Sequence, residues 1–314
     1  MRKPVLISAF VVLMLGTVFG YAQQAHAAVF LSENWDTGTP PADWPCKNFP
    51  DAVATAPFNG WRGRGFLVDN SPYDGGKLSG LSTTIYHSPP RSYYQHRPAG
   101  DYWTCDITKE IPQPYPTKIH LRFFIYFTDN WLGFDNPPVS TYEATHFIFT
   151  NTARSGTGFR FNIEDKVSTA YPYECNNDQA FSGMYFAIEN GSNGGRRGTQ
   201  PYDCYNLREN LNRWQCVEFM VDTENGDGTV DGPYGTKNGR YSQWIDGDLK
   251  VDYVSTPVSQ SDFQRIIVSG FSSFLRDFTG DFYIDDIAVA DSYIGCSASF
   301  DSLAPAAPTN LTVQ

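Results

Sequence analysis

Apolar and polar residues alternate along this chain with a period of two, and almost nowhere with the 3.6-residue period of a helix. In residues 118–127, Ile119, Leu121, Phe123, Ile125 and Phe127 fall on one side, and His120, Arg122, Phe124 and Tyr126 on the other. Phe159, Phe161 and Ile163 oppose Arg160, Asn162 and Glu164 in the same way. Met184, Phe186 and Ile188 oppose Tyr185, Ala187 and Glu189, while Phe147 and Phe149 oppose His146, Ile148 and Thr150. Each segment predicts a strand with one greasy face for a core and a second face of different character. Further strands are predicted at 66–69, 91–95, 214–222, 241–245, 249–253, 265–271 and 281–290. Between two of them, Asp246-Gly247 supplies the left-handed residues of a tight hairpin turn. Helical turns are expected only near 205–211 and 259–263. Many short strands punctuated by Gly, Pro, Asn and Asp predict an all-β sandwich or barrel.

The first residues add a compartment. Arg2 and Lys3 precede an apolar run from Val5 to Gly20, and Ala25-His26-Ala27 offers a small-x-small cleavage pattern. At about 16 residues the run is short of the ~20 that a spanning helix needs. Residues 1–27 are therefore expected to be a signal peptide, giving a secreted or periplasmic protein with no membrane attachment once it is cleaved. The net charge of −11 argues against nucleic acid as a partner. Six cysteines in an oxidising compartment suggest disulfides, with Cys175–Cys204 preferred because the two flank one polar excursion. Residues 28–300 form the expected β domain. In 301–314, a Pro-Ala spacer leads into a strand that looks like the opening of a fibronectin type III repeat.

Were the four alternating strands to share one sheet, their second faces would gather His120, Arg122, Tyr126, His146, Arg160, Asn162, Glu164, Tyr185 and Glu189. A solvated strand face ordinarily favours Thr, Lys, Ser and Glu. This face holds groups that hydrogen-bond sugars or move protons, spaced about 7 Å apart along each strand.

The sequence resembles the concanavalin A-like jelly rolls of the lectin, glucanase and polysaccharide-lyase kind. The likeness rests on Glu33-Asn34-Trp35-Asp36, Arg122-Phe123-Phe124-Ile125-Tyr126-Phe127, Trp214-Gln215-Cys216-Val217-Glu218, Gln243-Trp244-Ile245-Asp246-Gly247 and Tyr283-Ile284-Asp285-Asp286-Ile287. It implies a two-sheet antiparallel jelly-roll sandwich acting on or binding polysaccharide, expected as a monomer. The Glu-x-Asp-x-x-Glu strand of laminarinase-type hydrolases is missing.

β-Elimination on a uronic-acid polymer needs a neutralised carboxylate, a base and an acid at the leaving oxygen. Arg122, Arg160 and Asn162 suit the first role, and His146 (or His120) the second. Tyr126 or Tyr185 suits the third. His120, Asn162, Glu164, Glu189 and Trp131 are expected to line the substrate. Two other readings stand beside this one: a non-catalytic carbohydrate-binding module stacking sugars on Tyr126, Tyr185 and Trp131, and a hydrolase using Glu164 and Glu189, with Glu218 in reserve. No organic cofactor is expected. The resemblance also implies a structural Ca²⁺ between Glu33 and Asp36 early in the chain and Asp285 or Asp286 in the last strand. Residues 223–234 resemble a degenerate calcium loop, and a turn-rich hairpin is the preferred reading there.

Overall fold

The alternation in residues 118–127 becomes a strand whose apolar side chains are all but fully buried: Ile119, Leu121, Phe123, Ile125 and Phe127 enter the main core. The computed structural model describes residues 28–41, 44, 57–64, 79–97, 106–129, 142–150, 158–165, 184–190, 210–223, 239–256, 263–269 and 280–297. Their strands are β1 (Val29–Glu33), β2 (Arg62–Arg64), β3 (Ser79–Ser82), β4 (Ser92–Arg97), β5 (Asp106–Glu110), β6 (Lys118–Phe127) and β7 (Tyr142–Thr150). They continue with β8 (Gly158–Asp165), β9 (Met184–Asn190), β10 (Trp214–Asp222), β11 (Gly239–Ile245), β12 (Asp248–Thr256), β13 (Arg265–Ser269) and β14 (Gly280–Ala290).

Two antiparallel sheets result. The eight-stranded one runs β12-β11-β10-β6-β14-β4-β3, with β1 also paired to β14. The six-stranded one runs β2-β5-β13-β7-β8-β9. Both contribute to one core. Val217, Phe219, Val221, Phe282 and Ile284 come from the larger sheet, and Ile107, Ile266 and Val268 from the smaller. Each such side chain is worth about 1.5–3 kcal/mol when removed from water. The chain is an all-β, two-sheet antiparallel sandwich of jelly-roll type. Among the described residues, no helix is long and apolar enough to cross a membrane.

Two local features set the outer face of the larger sheet. The hairpin between β11 and β12 turns at Asp246 (φ 52°) and Gly247 (φ 89°), the two left-handed positions that its sequence predicts. In β14 the pairing with β6 slips between Asp285 and Ala288, and Asp286 sits at φ 49°. This bulge changes the phase of the strand: Phe282 and Ile284 face the core before it, Ile287 and Val289 after it.

Strand prediction misses β1, β2, β3 and β5, which are three to five residues long and too short for alternation to register. The strand expected at 66–69, Trp131, the Cys175–Cys204 pairing, residues 224–234, the signal peptide and residues 301–314 lie outside the described residues. The disulfide that is described joins Cys216 to Cys296.

Candidate functional site

Cross-strand register builds the candidate site in the six-stranded sheet. His146 in β7 pairs with Ser269 on one side and Asn162 on the other, and Asn162 pairs in turn with Ala187. Directly paired residues of antiparallel strands share a face and stand about 4.5–5.5 Å apart. Arg160, two residues along β8, pairs with Ile148 and Glu189. Glu164, two residues in the other direction, pairs with Glu143 and Tyr185. His146, Arg160, Asn162, Glu164, Tyr185 and Glu189 therefore occupy three consecutive rows centred on Asn162. Each outer row is about 7 Å from the central one.

The same register bears on the paired-carboxylate reading. Glu189 lies in the row of Arg160, four residues along β8 from Glu164. That sets their rows about 13 Å apart, beyond the ~5–9.5 Å that glycoside hydrolysis uses. Glu218, the reserve carboxylate, is fully buried in the other sheet.

The expectation that β6 joins this face is wrong. β6 pairs with β10 and β14, in the eight-stranded sheet, so His120, Arg122 and Tyr126 are separated from His146 by the whole core. Alternation tells which side chains share a face of one strand, and it carries no information about which strands are neighbours.

Arg122 and His120 have a different occupation. Arg122 is fully buried, donating from Nη1 to the Gly295 carbonyl (3.3 Å) and from Nη2 to the Asp286 carbonyl (3.4 Å). Its guanidinium lies 5.3 Å from the Phe124 ring. Burial lowers its pKa, while the charges of Asp286 and Glu218 oppose that shift. Glu218 accepts the backbone N–H groups of Ile294 (2.9 Å) and Gly295 (2.8 Å), and its Oε1 lies 2.9 Å from His120 Nδ1. The Cys216–Cys296 disulfide closes the arrangement. These residues pin segment 291–297 as a strap across the outer face of the sheet, with Arg122 and His120 buried beside it.

The carboxylates expected to hold calcium are not assembled either. Glu33 faces the core and accepts from Trp35 N (2.9 Å), Asn59 Nδ2 (3.1 Å), Trp61 Nε1 (3.1 Å) and Lys109 Nζ (3.4 Å). Asp36 accepts from Asn34 Nδ2 at 2.6 Å. Asp285 lies on the outer face, accepting backbone N–H groups from His87, Ser88 and Asp286, each at 2.9 Å. Asp286 Oδ2 accepts from Ser88 Oγ and contacts His87 Nδ1, both at 2.6 Å. The Glu33 and Asp285 oxygens are met by N–H donors, whereas Asp286 Oδ1 is buried without a hydrogen-bond partner, and among the described residues no three such side chains are grouped to hold a metal ion. Simple alternation would turn one of the two adjacent aspartates away. The β14 bulge instead lets both reach residues 87–88. Burial and the neighbouring Asp286 charge push the Asp285 carboxyl up to about 8, against the pull of its three N–H donors.

Sequence reasoning also overlooked what the outer face exposes. Tyr94, Tyr283, Tyr126 and Trp214 lie in mutual register on β4, β14, β6 and β10, forming one row across four strands. Their ring centroids follow at 6.1, 5.9 and 5.5 Å. Beside the row, His96 Nδ1 meets Asp281 Oδ1 at 2.5 Å. The available signal was the alternation of Tyr93-Tyr94 and of Phe282-Tyr283-Ile284, where one ring must leave the core.

No family model matches the chain, and no curated protein matches it. Among solved structures, it is similar to "Cellulose induced protein, Cip1" at 15% identity over 85% of this chain and 100% of that one, with a TM-score of 0.45. An alginate lyase, vAL-1 from Chlorella virus, is 12% identical over 74% of this chain and 94% of its own, also with a TM-score of 0.45. An endo-β-1,4-glucuronan lyase from the fungus Trichoderma reesei is 8% identical over 68% of this chain and 87% of its own, with a TM-score of 0.36.

Proposed function

We propose that the protein is a secreted polysaccharide lyase that cleaves a uronic-acid polymer by β-elimination on the rows centred on Asn162. The observation that carries this reading is the register of β7, β8 and β9, which pairs His146 with Asn162 and flanks them with the rows of Arg160 and Tyr185. Those four residue types are the set that elimination requires.

Each has a role. Arg160 and Asn162 bind the uronate carboxylate and stabilise the charge that spreads onto it as the adjacent carbon loses its proton. His146 takes that proton. The electron pair forms the new carbon–carbon double bond, the glycosidic C–O bond breaks, and Tyr185 delivers a proton to the departing oxygen. Glu189, the cross-strand partner of Arg160 in register, adds a counter-charge to the same row. Glu164 hydrogen-bonds sugar hydroxyls beside Tyr185.

Incubation with a panel of uronate polymers, read by the ultraviolet absorbance of the unsaturated product, tests the proposal. His146→Ala is expected to cost at least about a hundredfold in rate, the lower range for loss of a general base. Tyr126→Phe, in the opposite sheet, should leave the rate unchanged. An enzyme that shortens no uronate polymer refutes the proposal, as does full activity in His146→Ala. Sugar binding without any cleavage would establish a binding module instead.

A further inference from the structure

The outer face of the eight-stranded sheet divides into two halves. Across one half lie segment 291–297, held by Arg122, Glu218 and the disulfide, and residues 87–88, held by Asp285 and Asp286. His87 stacks on Phe124 with centroids 3.6 Å apart, closing that half over the middle of β6. The other half carries the row Tyr94, Tyr283, Tyr126 and Trp214. Each of these rings stays partly exposed, although the aromatic residues beside them in sequence, Tyr93, Phe282 and Phe127, are buried.

We propose that this row is a glycan-binding surface in its own right, taking a neutral, extended sugar chain laid across the strands. It is independent of the elimination site on the other sheet, and does not rest on that reading.

Three observations select the occupant. First, steps of 5.5–6.1 Å between rings in register across four strands make a linear track, with roughly one aromatic contact for each successive pyranose. Sugars present apolar C–H faces to such rings and hydroxyls to the groups around them. Second, neighbouring rings are inclined at 36°, 82° and 55°, which fits a chain whose units turn along its length rather than a flat planar ligand. Third, the charges at the border suit a neutral polymer. His96 is committed to Asp281 at one end, and Arg213 to Asp246 (3.0 Å) at the other. Asp129 is exposed nearby. Neither cation is available to a polyuronate, and the chain as a whole carries −11. Burial, then the Asp281 charge, raises the Tyr94 and Tyr283 hydroxyls, so they remain protonated donors at neutral pH.

Isothermal titration of the full chain with neutral gluco-, manno- and xylo-hexasaccharides, beside uronate oligomers, tests this. At least one neutral hexasaccharide should bind. Trp214→Ala and Tyr283→Ala should each weaken it by about three- to tenfold, the loss expected for one stacked ring. Tyr283→Phe, which keeps the ring, should bind as the wild type does. Trp214→Ala and Tyr283→Ala should still cleave uronate polymers at the wild-type rate, and His146→Ala should still bind the neutral sugar, so the two sites fail separately. Should an alanine variant not fold, tyrosine ring resonances of the wild-type protein can be followed during the titration, and those of Tyr94, Tyr126 and Tyr283 must shift. Binding of uronate oligomers alone overturns the proposal. So does undiminished affinity in a folded alanine variant, or a titration in which these ring signals stay still.

Discussion

Replacing Glu218 by glutamine probes the strap with almost no change of shape. Its two oxygens serve three partners, Ile294 N, Gly295 N and His120 Nδ1, and its charge faces the fully buried Arg122. A glutamine can turn its carbonyl towards Ile294 and His120, which sets its NH₂ against the Gly295 N–H. One backbone donor then loses its acceptor in a buried site, at about 1–3 kcal/mol. Arg122 also loses one of its two counter-charges while Asp286 remains, which moves the total to the upper end of that range. A loss of about 3 kcal/mol is the expected result. At roughly 2–4 °C per kcal/mol for a domain of this size, the melting temperature should fall by about 6–12 °C in calorimetry with the disulfide intact. Arg122→Met in the same background should cost less than the sum of the two single changes, because the cation left short of counter-charge is gone. A fall under about 2 °C, or strict additivity of the pair, would refute the idea that this carboxylate carries the strap.

Removing the Cys216–Cys296 crosslink by Cys296→Ser opens a loop of 80 residues and should destabilise the fold by about 4 kcal/mol, read from denaturant midpoints; an unchanged midpoint would contradict it. His96 is raised above 6.5, first by its hydrogen bond to Asp281. Its contribution to stability is thus present below 6.5 and lost as pH rises through the folded-state value. An NMR titration should place its midpoint above 6.5 in the wild type and lower in Asp281→Asn; equal midpoints would dismiss the pairing. Asp285, at about 8 against an ordinary 3.8, favours folding at low pH and loses that effect as pH rises towards 8. The melting temperature of Asp285→Asn relative to wild type should therefore climb between pH 4 and pH 8; a constant difference would show the carboxyl is not perturbed. Glu33→Ala, which strands the Trp61 indole N–H and Lys109, should cost about 3–5 kcal/mol in the same denaturation assay.

Much of the fold was legible because period-two alternation is a local property. The bounds of β6 and β10 can be read from residues 118–127 and 214–222 alone, and the Asp246-Gly247 turn from two residues. Sheet membership is not local. Arg122 and Arg160 look equivalent in sequence, each alternating with Phe or Ile. Yet one lies under the strap of the eight-stranded sheet and the other in β8 of the six-stranded sheet. Nothing within either strand distinguishes them, since the difference arises from pairing: Arg122 is paired with Glu218 and Ala288, far along the chain, and Arg160 with the nearer Ile148 and Glu189. The β14 bulge was hidden for a related reason. Asp285-Asp286 reads as ordinary alternation, and only the burial of Ile287 after Ile284 betrays the extra residue.

The crosslink to β10 also fixes the route that mechanical load would take. A pull applied at residue 297 reaches Cys296, passes through the disulfide to Cys216, and enters the sheet at a strand hydrogen-bonded on both sides, by β6 and by β11. It does not peel β14 away from its end. Rupture would then require shearing two full ladders at once, so tension applied at residue 297 should be borne without disturbing the six-stranded sheet across the core.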